Sequence, residues 1–159
     1  MRLEITTRRH LTEHRRSSAL MAILVGGLIA GTLDLACAFI TFGPEVPEAI
    51  AGGLLGRQAF QGGAAIYALG VALHFFIAIS AATVYYATSR KLEFLKEHAL
   101  VCGLFFGMAF YLVMNLIVLP LSALHARGPF QLRDLIQGLL VHMFLIGLPI
   151  SLSVRRYSS

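Results

Sequence analysis

Four polar side chains interrupt the long apolar stretches of this sequence and are the residues best suited to chemistry: His74, His142, Asp34 and Asn115. The two histidines have matching contexts, because each follows a glycine by four residues and is followed by a phenylalanine within two. An ionisable group at the centre of a bilayer costs about 3 kcal/mol on lenient insertion scales. We therefore expect all four side chains in the interior of a helical bundle, as a polar intramembrane core.

Three interpretations of this polar core are open from the residues alone. In the first, the histidines are neutral imidazoles that share hydrogen bonds with the other two members and fix the register of the helices. In the second, the carboxyl and the imidazoles pass or sense a proton, a cation or a small solute. In the third, His74 and His142 are opposed axial ligands of a b-type haem, and Gly70 and Gly138 make room for the macrocycle.

Other chemistry has little support in the sequence. There is no nucleophile elbow, no C-x-x-C pair, no phosphate-binding loop and no H-E-x-x-H zinc motif. Cys37 and Cys102 fall inside different apolar segments and are expected to be free thiols. We therefore predict a protein that is not an enzyme, and the sequence leaves open whether a metal binds.

The composition predicts a membrane protein, since 57% of the 159 residues are hydrophobic, 13% are charged and the mean hydropathy is +0.76. Four segments exceed the roughly 20 apolar residues that cross a bilayer. They lie at about 19–42, 63–88, 99–119 and 135–154. Their continuous apolar character predicts α-helices rather than barrel strands, so the fold class is an all-α, polytopic bundle of four transmembrane helices.

Positive charge predicts the orientation of this bundle. Ten of the 13 lysines and arginines lie in residues 1–18, in the 89–97 loop or in the 155–159 tail. Because positive loops stay in the cytoplasm, both termini and the 89–97 loop are expected there. The basic segment 1–18 is expected to contact anionic lipid headgroups, which accounts for the net charge of +5 without a nucleic-acid partner. The first apolar segment is expected to be a retained helix rather than a cleaved signal peptide.

Glycine spacing predicts both helix packing and an internal repeat. The helix-packing glycines are Gly27, Gly31, Gly70, Gly103, Gly107 and Gly138. The pattern V-x-G-L-x-x-G occurs at residues 25–31 and again at 101–107, an offset of 76, and the two G-x-x-x-H segments are offset by 68. The simplest interpretation is two parallel helical hairpins related by a pseudo-two-fold axis along the membrane normal. The alternative is that glycine-rich apolar helices resemble one another by composition.

Under this symmetry His74 and His142 face each other near the bundle axis, at similar depth. Between the first two helices, Pro47 and an apolar face predict a short interfacial helix over about 47–60. Four helices leave little room for a lumen, so a transport role favours a homodimer.

Several stretches are similar to the small bacterial inner-membrane proteins of the YagU type. They are GLFFGMAFYLVMNLIVLPLSAL, LHFFIAISAATVYY and the last helix, which contains a histidine and ends in Arg155 and Arg156. The resemblance covers about half of the chain. The resemblance implies a four-helix, multi-pass protein of the bacterial inner membrane, and it implies no catalytic residue.

Overall fold

A computed structural model describes residues 2–127 and 131–157, with side chains from Ser17 onward. Within these ranges the protein is helical, without strands. Four helices are long and apolar enough to cross a membrane, as predicted. They are α1 (Arg2–Phe42, apolar over Ser17–Phe42), α3 (Ala64–Ser89), α5 (Ala99–Leu121) and α6 (Leu132–Tyr157).

The first and last helices extend beyond their predicted ends. The backbone of α1 is helical from Arg2, so most of the basic segment continues the first spanning helix without a break. The predicted headgroup contacts of that segment lie outside the described side chains. The last helix continues to Tyr157, into the predicted 155–159 tail.

The chain between α1 and α3 forms α2 (Val46–Leu55) and a 3₁₀ turn (Gly56–Gln61). The structure therefore has helical backbone where a short helix is predicted. Pro47, near its start, is fully buried against Gly70 of α3. Farther along α2, Gly52 packs against Leu124. The short helix thus packs on the side of α3 and on the chain that follows α5.

The four long helices pack in the order α3, α1, α6, α5. Helix α1 contacts α3 and the second half of α6, and α5 packs on α6. Between α3 and α5, the Tyr85 and Phe106 rings meet at 5.0 Å, close to the short helix α4 (Phe94–Glu97). The outer faces keep large apolar side chains exposed, such as Ile40, Phe76 and Leu116. Exposed apolar faces of this extent suit a lipid environment.

Glycines bring the helices of the first hairpin together. A Cβ atom at Gly27 would lie 2.9 Å from the Cα atom of Ile79, and one at Gly31 would lie 2.9 Å from the Phe75 ring. Ordinary Cβ contacts begin at 3.4 Å. Helices α1 and α3 can therefore approach this closely only because these two positions have no side chain.

The second hairpin uses glycines in the same way. Gly103 of α5 lies against Gly147 of α6, and Gly107 lies against His142 and Met143. The contact of Gly103 with Gly147 corresponds to that of Gly27 with Ile79 when α5 is offset by 76 and α6 by 68. The contact of Gly107 with Met143 corresponds in the same way to that of Gly31 with Phe75.

Helices α5 and α6 each contain a π-helical turn, Met114–Val118 and His142–Gly147. Each turn ends two residues before a proline, Pro120 or Pro149. Proline has no N–H and its ring clashes with the carbonyl four residues earlier, so a widened turn lets the helix continue. This explains why α5 passes Pro120 and ends at Leu121, whereas the proline pattern predicts an end at residue 119.

Candidate polar site between the helices

His74 links the two helices of the first hairpin. Its Nε2 atom lies 2.8 Å from the carbonyl oxygen of Gly31 on α1. Because a carbonyl oxygen only accepts, Nε2 carries the proton in this bond and Nδ1 keeps a lone pair. The bond is possible because Gly31 has no side chain between α1 and α3.

His142 lies at the start of the π turn in α6 and bonds within its own helix. Its Nδ1 atom donates to the carbonyl oxygen of Gly138 at 3.0 Å, so Nε2 keeps the lone pair. The ring packs edge to face on Tyr111, with centroids 5.1 Å apart, and also lies near Phe110 at 6.2 Å. Helix α5 therefore covers this histidine with aromatic side chains.

Asp34 lies on α1, one helical turn after Gly31, and its side chain is half-buried. Within the described part of the chain its carboxyl forms no hydrogen bond or ion pair. The carboxyl does interact electrostatically with His142 of α6, and so does His74 of α3. Three ionisable groups from three different helices are thus close enough for the charge of one to affect another.

Asn115 has a more local role. Its side-chain amide donates to the carbonyl oxygen of Tyr111, one turn earlier, at 3.0 Å. The residue belongs to the π turn of α5, and its amide is a second donor to a carbonyl that also accepts from the Met114 main-chain N–H. Asn115 is therefore bonded within α5 rather than to a histidine.

The structure thus brings Asp34, His74 and His142 into one electrostatic neighbourhood and gives Asn115 a bond of its own. The two histidines interact electrostatically, but the hydrogen bond of each ring goes to a main-chain carbonyl, on α1 for His74 and on α6 for His142. That the two rings face each other near the bundle axis stays a prediction.

The side chains do not fit a haem held between the histidines. The space beside Gly70 is filled by the Pro47 backbone, and the space beside Gly138 by the Tyr111 ring. The glycines that were expected to make room for a macrocycle instead make room for protein. In addition, the Nε2 atom of His74, the usual haem ligand, is bonded to α1.

A metal ion also lacks a ready set of ligands. Across residues 17–127 and 131–157, no three histidine, cysteine, aspartate or glutamate side chains cluster as a metal site would require. Cys37 and Cys102 are free thiols, as predicted.

Two buried tyrosines were not predicted as part of the site. Tyr111 is 5% exposed and packs on Gly138 and His142. Its spacing of four from both Gly107 and Asn115 was a signal that it shares their face of α5. Tyr85 is 1% exposed, and its hydroxyl donates to the carbonyl oxygen of Leu95 at 3.0 Å.

We compared the chain with protein-family models, with curated proteins and with solved structures, and none of them matches it.

Proposed function

We propose that this protein passes a proton, a small cation or a small solute through a polar centre formed by Asp34, His74 and His142. The observation that carries the proposal is the convergence of three ionisable groups from α1, α3 and α6 in an otherwise apolar bundle. Ionisable side chains in membrane helices are costly, and they commonly mark proton or ion pathways. The proposed role is not enzymatic.

The hydrogen bonds of the histidines support proton transfer most directly. Each neutral ring donates one N–H to a carbonyl and keeps one lone pair, on Nδ1 of His74 and on Nε2 of His142. Each lone pair is a site that can accept a proton. The Asp34 carboxylate can balance one imidazolium charge, because its field reaches His142.

The proposal also includes the membrane and the orientation in which this polar centre lies. We place both termini and the 89–97 loop in the cytoplasm, in a bacterial inner membrane, on the basis of the charge pattern and the YagU-type resemblance. The matching glycine contacts of the two hairpins support an internal repeat with a pseudo-two-fold axis. Contacts between the hairpins are less symmetric, because α1 and α6 pack closely whereas α3 and α5 do not. Because four helices leave little room for a lumen, the proposed transport favours a homodimer.

Proton flux into proteoliposomes that contain a pH-sensitive dye tests the function. We expect the parent protein to collapse an imposed pH gradient faster than empty liposomes. The double variant His74→Ala, His142→Ala should fall to the rate of empty liposomes. His98→Ala is the matched control, because His98 is exposed in the loop next to α4, and it should retain the parent rate. Equal rates for the parent and the double variant would refute the role of the histidines.

A structural role for the same side chains is the second candidate. It is favoured by the bond from His74 to the main chain of α1, which joins two helices, and by the bonds of His142 and Asn115 to main-chain carbonyls within their own helices. Removal of a bonded, partly buried donor costs about 1 kcal/mol. If the role is structural only, the double histidine variant should unfold at a lower temperature, and the parent protein should show no flux.

A further inference from the structure

The Tyr111 hydroxyl is the most unusual polar group outside the three-residue centre. Tyr111 is 5% exposed, yet its hydroxyl has no hydrogen-bond partner among the residues that the structure describes. Buried hydroxyls are normally bonded to protein or to an ordered water, and an unpaired one costs about 1–3 kcal/mol. This hydroxyl is therefore available to bind a water molecule.

The surroundings of the hydroxyl connect the polar centre to one end of the bundle. Asp134, Gly138 and His142 are spaced by four on α6 and so share one face. The phenol lies on this face at the level of Gly138, where a Cβ atom would be 2.8 Å from its oxygen. One turn toward the helix start, Asp134 interacts electrostatically with Tyr111. One turn the other way, the Tyr111 ring packs on His142.

Distances along α6 show why a group between Asp134 and His142 matters. Eight residues separate the two, or about 12 Å of helix. A proton crosses a hydrogen bond of only about 2.7 Å, so direct transfer is excluded. A hydroxyl at Gly138 divides the separation into two steps of about 6 Å, each of which one water can bridge.

We infer that Asp134 and Tyr111 form an entry branch that carries protons from the end of the bundle where α6 begins to His142. The inference rests on the proposed function and makes it more specific, because it names the proton as the transported species. Asp134 is exposed and can exchange protons with bulk water. A tyrosine hydroxyl both donates and accepts, so it can relay a proton, whereas a metal cation would need several oxygen or nitrogen ligands that this branch lacks.

Each step of the relay moves one proton from a donor to an acceptor. A proton leaves the Asp134 carboxyl for a bridging water, and that water gives one of its protons to the Tyr111 oxygen. The tyrosine releases its original proton toward Nε2 of His142, directly or through a second water. The imidazolium that forms keeps its Nδ1–H on the carbonyl of Gly138. Asp34 of α1 and His74 of α3 interact electrostatically with His142, and in the proposed relay one of them takes the proton next.

The test measures proton flux for Tyr111→Phe and Asp134→Asn in proteoliposomes. Tyr111→Phe keeps the ring that packs on Gly138 and His142 and removes only the hydroxyl. We expect its flux to fall about 100-fold, which is the lower end of what a positioned proton-transfer group contributes. Tyr85→Phe is the matched control, because it removes a buried hydroxyl that is bonded to Leu95, and it should retain the parent flux. Asp134→Glu should restore flux that Asp134→Asn loses.

The flux measurements distinguish a failure of the entry branch from a failure of the proposed function. Parent flux in Tyr111→Phe, combined with loss in the double histidine variant, overturns the branch and leaves the polar centre in place. Transport of Na⁺ or K⁺ without protons by the parent also overturns the branch. Absence of any flux in the parent refutes the function and the branch together. Circular dichroism and a thermal melt of each variant detect a folding defect. If Tyr111→Phe is misfolded, the flux of Asp134→Asn decides the result, because the exposed Asp134 side chain adds little to stability.

Discussion

Gly107→Ala should strongly destabilise this bundle, because it adds a methyl group where α5 and α6 are in close contact. The new Cβ would clash with the carbonyl oxygen of His142 and would lie 2.6 Å from the Cα atom of Met143. Both are main-chain atoms of the π turn, so no side-chain rotation relieves the clash. Ordinary contact begins at 3.4 Å, so α5 and α6 must separate by about 1 Å at this level.

The free-energy cost of Gly107→Ala comes from the contacts that are lost when α5 and α6 separate. Overpacking of a close helix contact costs about 1–3 kcal/mol, and here the Tyr111 and Phe110 rings also move away from His142. For a chain of this size 1 kcal/mol lowers the melting temperature by about 2–4 °C, so we expect a decrease of about 2–12 °C. Gly31→Ala should cost less, because its Cβ meets the Phe75 ring and the Ala78 methyl group rather than the main chain.

The assay is thermal unfolding in detergent, followed by circular dichroism. Gly53→Ala is the matched control: Gly53 is also helical, and its Cβ would lie 3.9 Å from Ser122, an ordinary contact. The expected order of melting temperatures is Gly53→Ala at or above the parent, then Gly31→Ala, then Gly107→Ala. A Gly107→Ala melting temperature equal to that of Gly53→Ala would refute the close contact of α5 with α6.

Two further predictions concern the ends of the bundle. Tyr85→Phe removes a buried bond to the Leu95 carbonyl, so we expect a loss of about 1 kcal/mol in thermal unfolding, and an unchanged melting temperature would contradict that bond. For orientation, Gln58→Cys and Lys91→Cys, both at exposed positions and made without the native cysteines, should differ toward an impermeant maleimide. The thiol at 58 should react in intact cells and the thiol at 91 only after permeabilisation, and the reverse pattern would invert the topology.

The sequence was sufficient to locate the four long helices because their signal is continuous apolar character over more than 20 residues. The predicted and observed ends of the second helix differ by one residue, 63–88 against Ala64–Ser89. The third helix continues past its predicted end at residue 119 for a local reason. A proline inside a spanning helix need not end it when a π turn such as Met114–Val118 absorbs the strain.

The partners of the polar and small residues were much harder to predict. Gly70 shares a face with His74 on α3, yet it contacts Pro47 of the short α2 rather than another spanning helix. Sequence spacing shows which residues share a helix face, but it does not show which element covers that face. For the same reason the hydrogen bond from His74 to the main chain of α1 had no signal in the sequence.

Under the proposed duplication, the two halves of the chain contribute different residues to the polar centre. The offset of 76 relates Asp34 of α1 to Phe110 of α5, and Leu35 to Tyr111. Each half therefore keeps its histidine, while the first half has a carboxyl and the second an aromatic wall with a hydroxyl. Two symmetric carboxyls close together would repel each other, and one of them would hold its proton. A single carboxylate can balance one imidazolium at a time, which is the arrangement that a centre passing one proton requires.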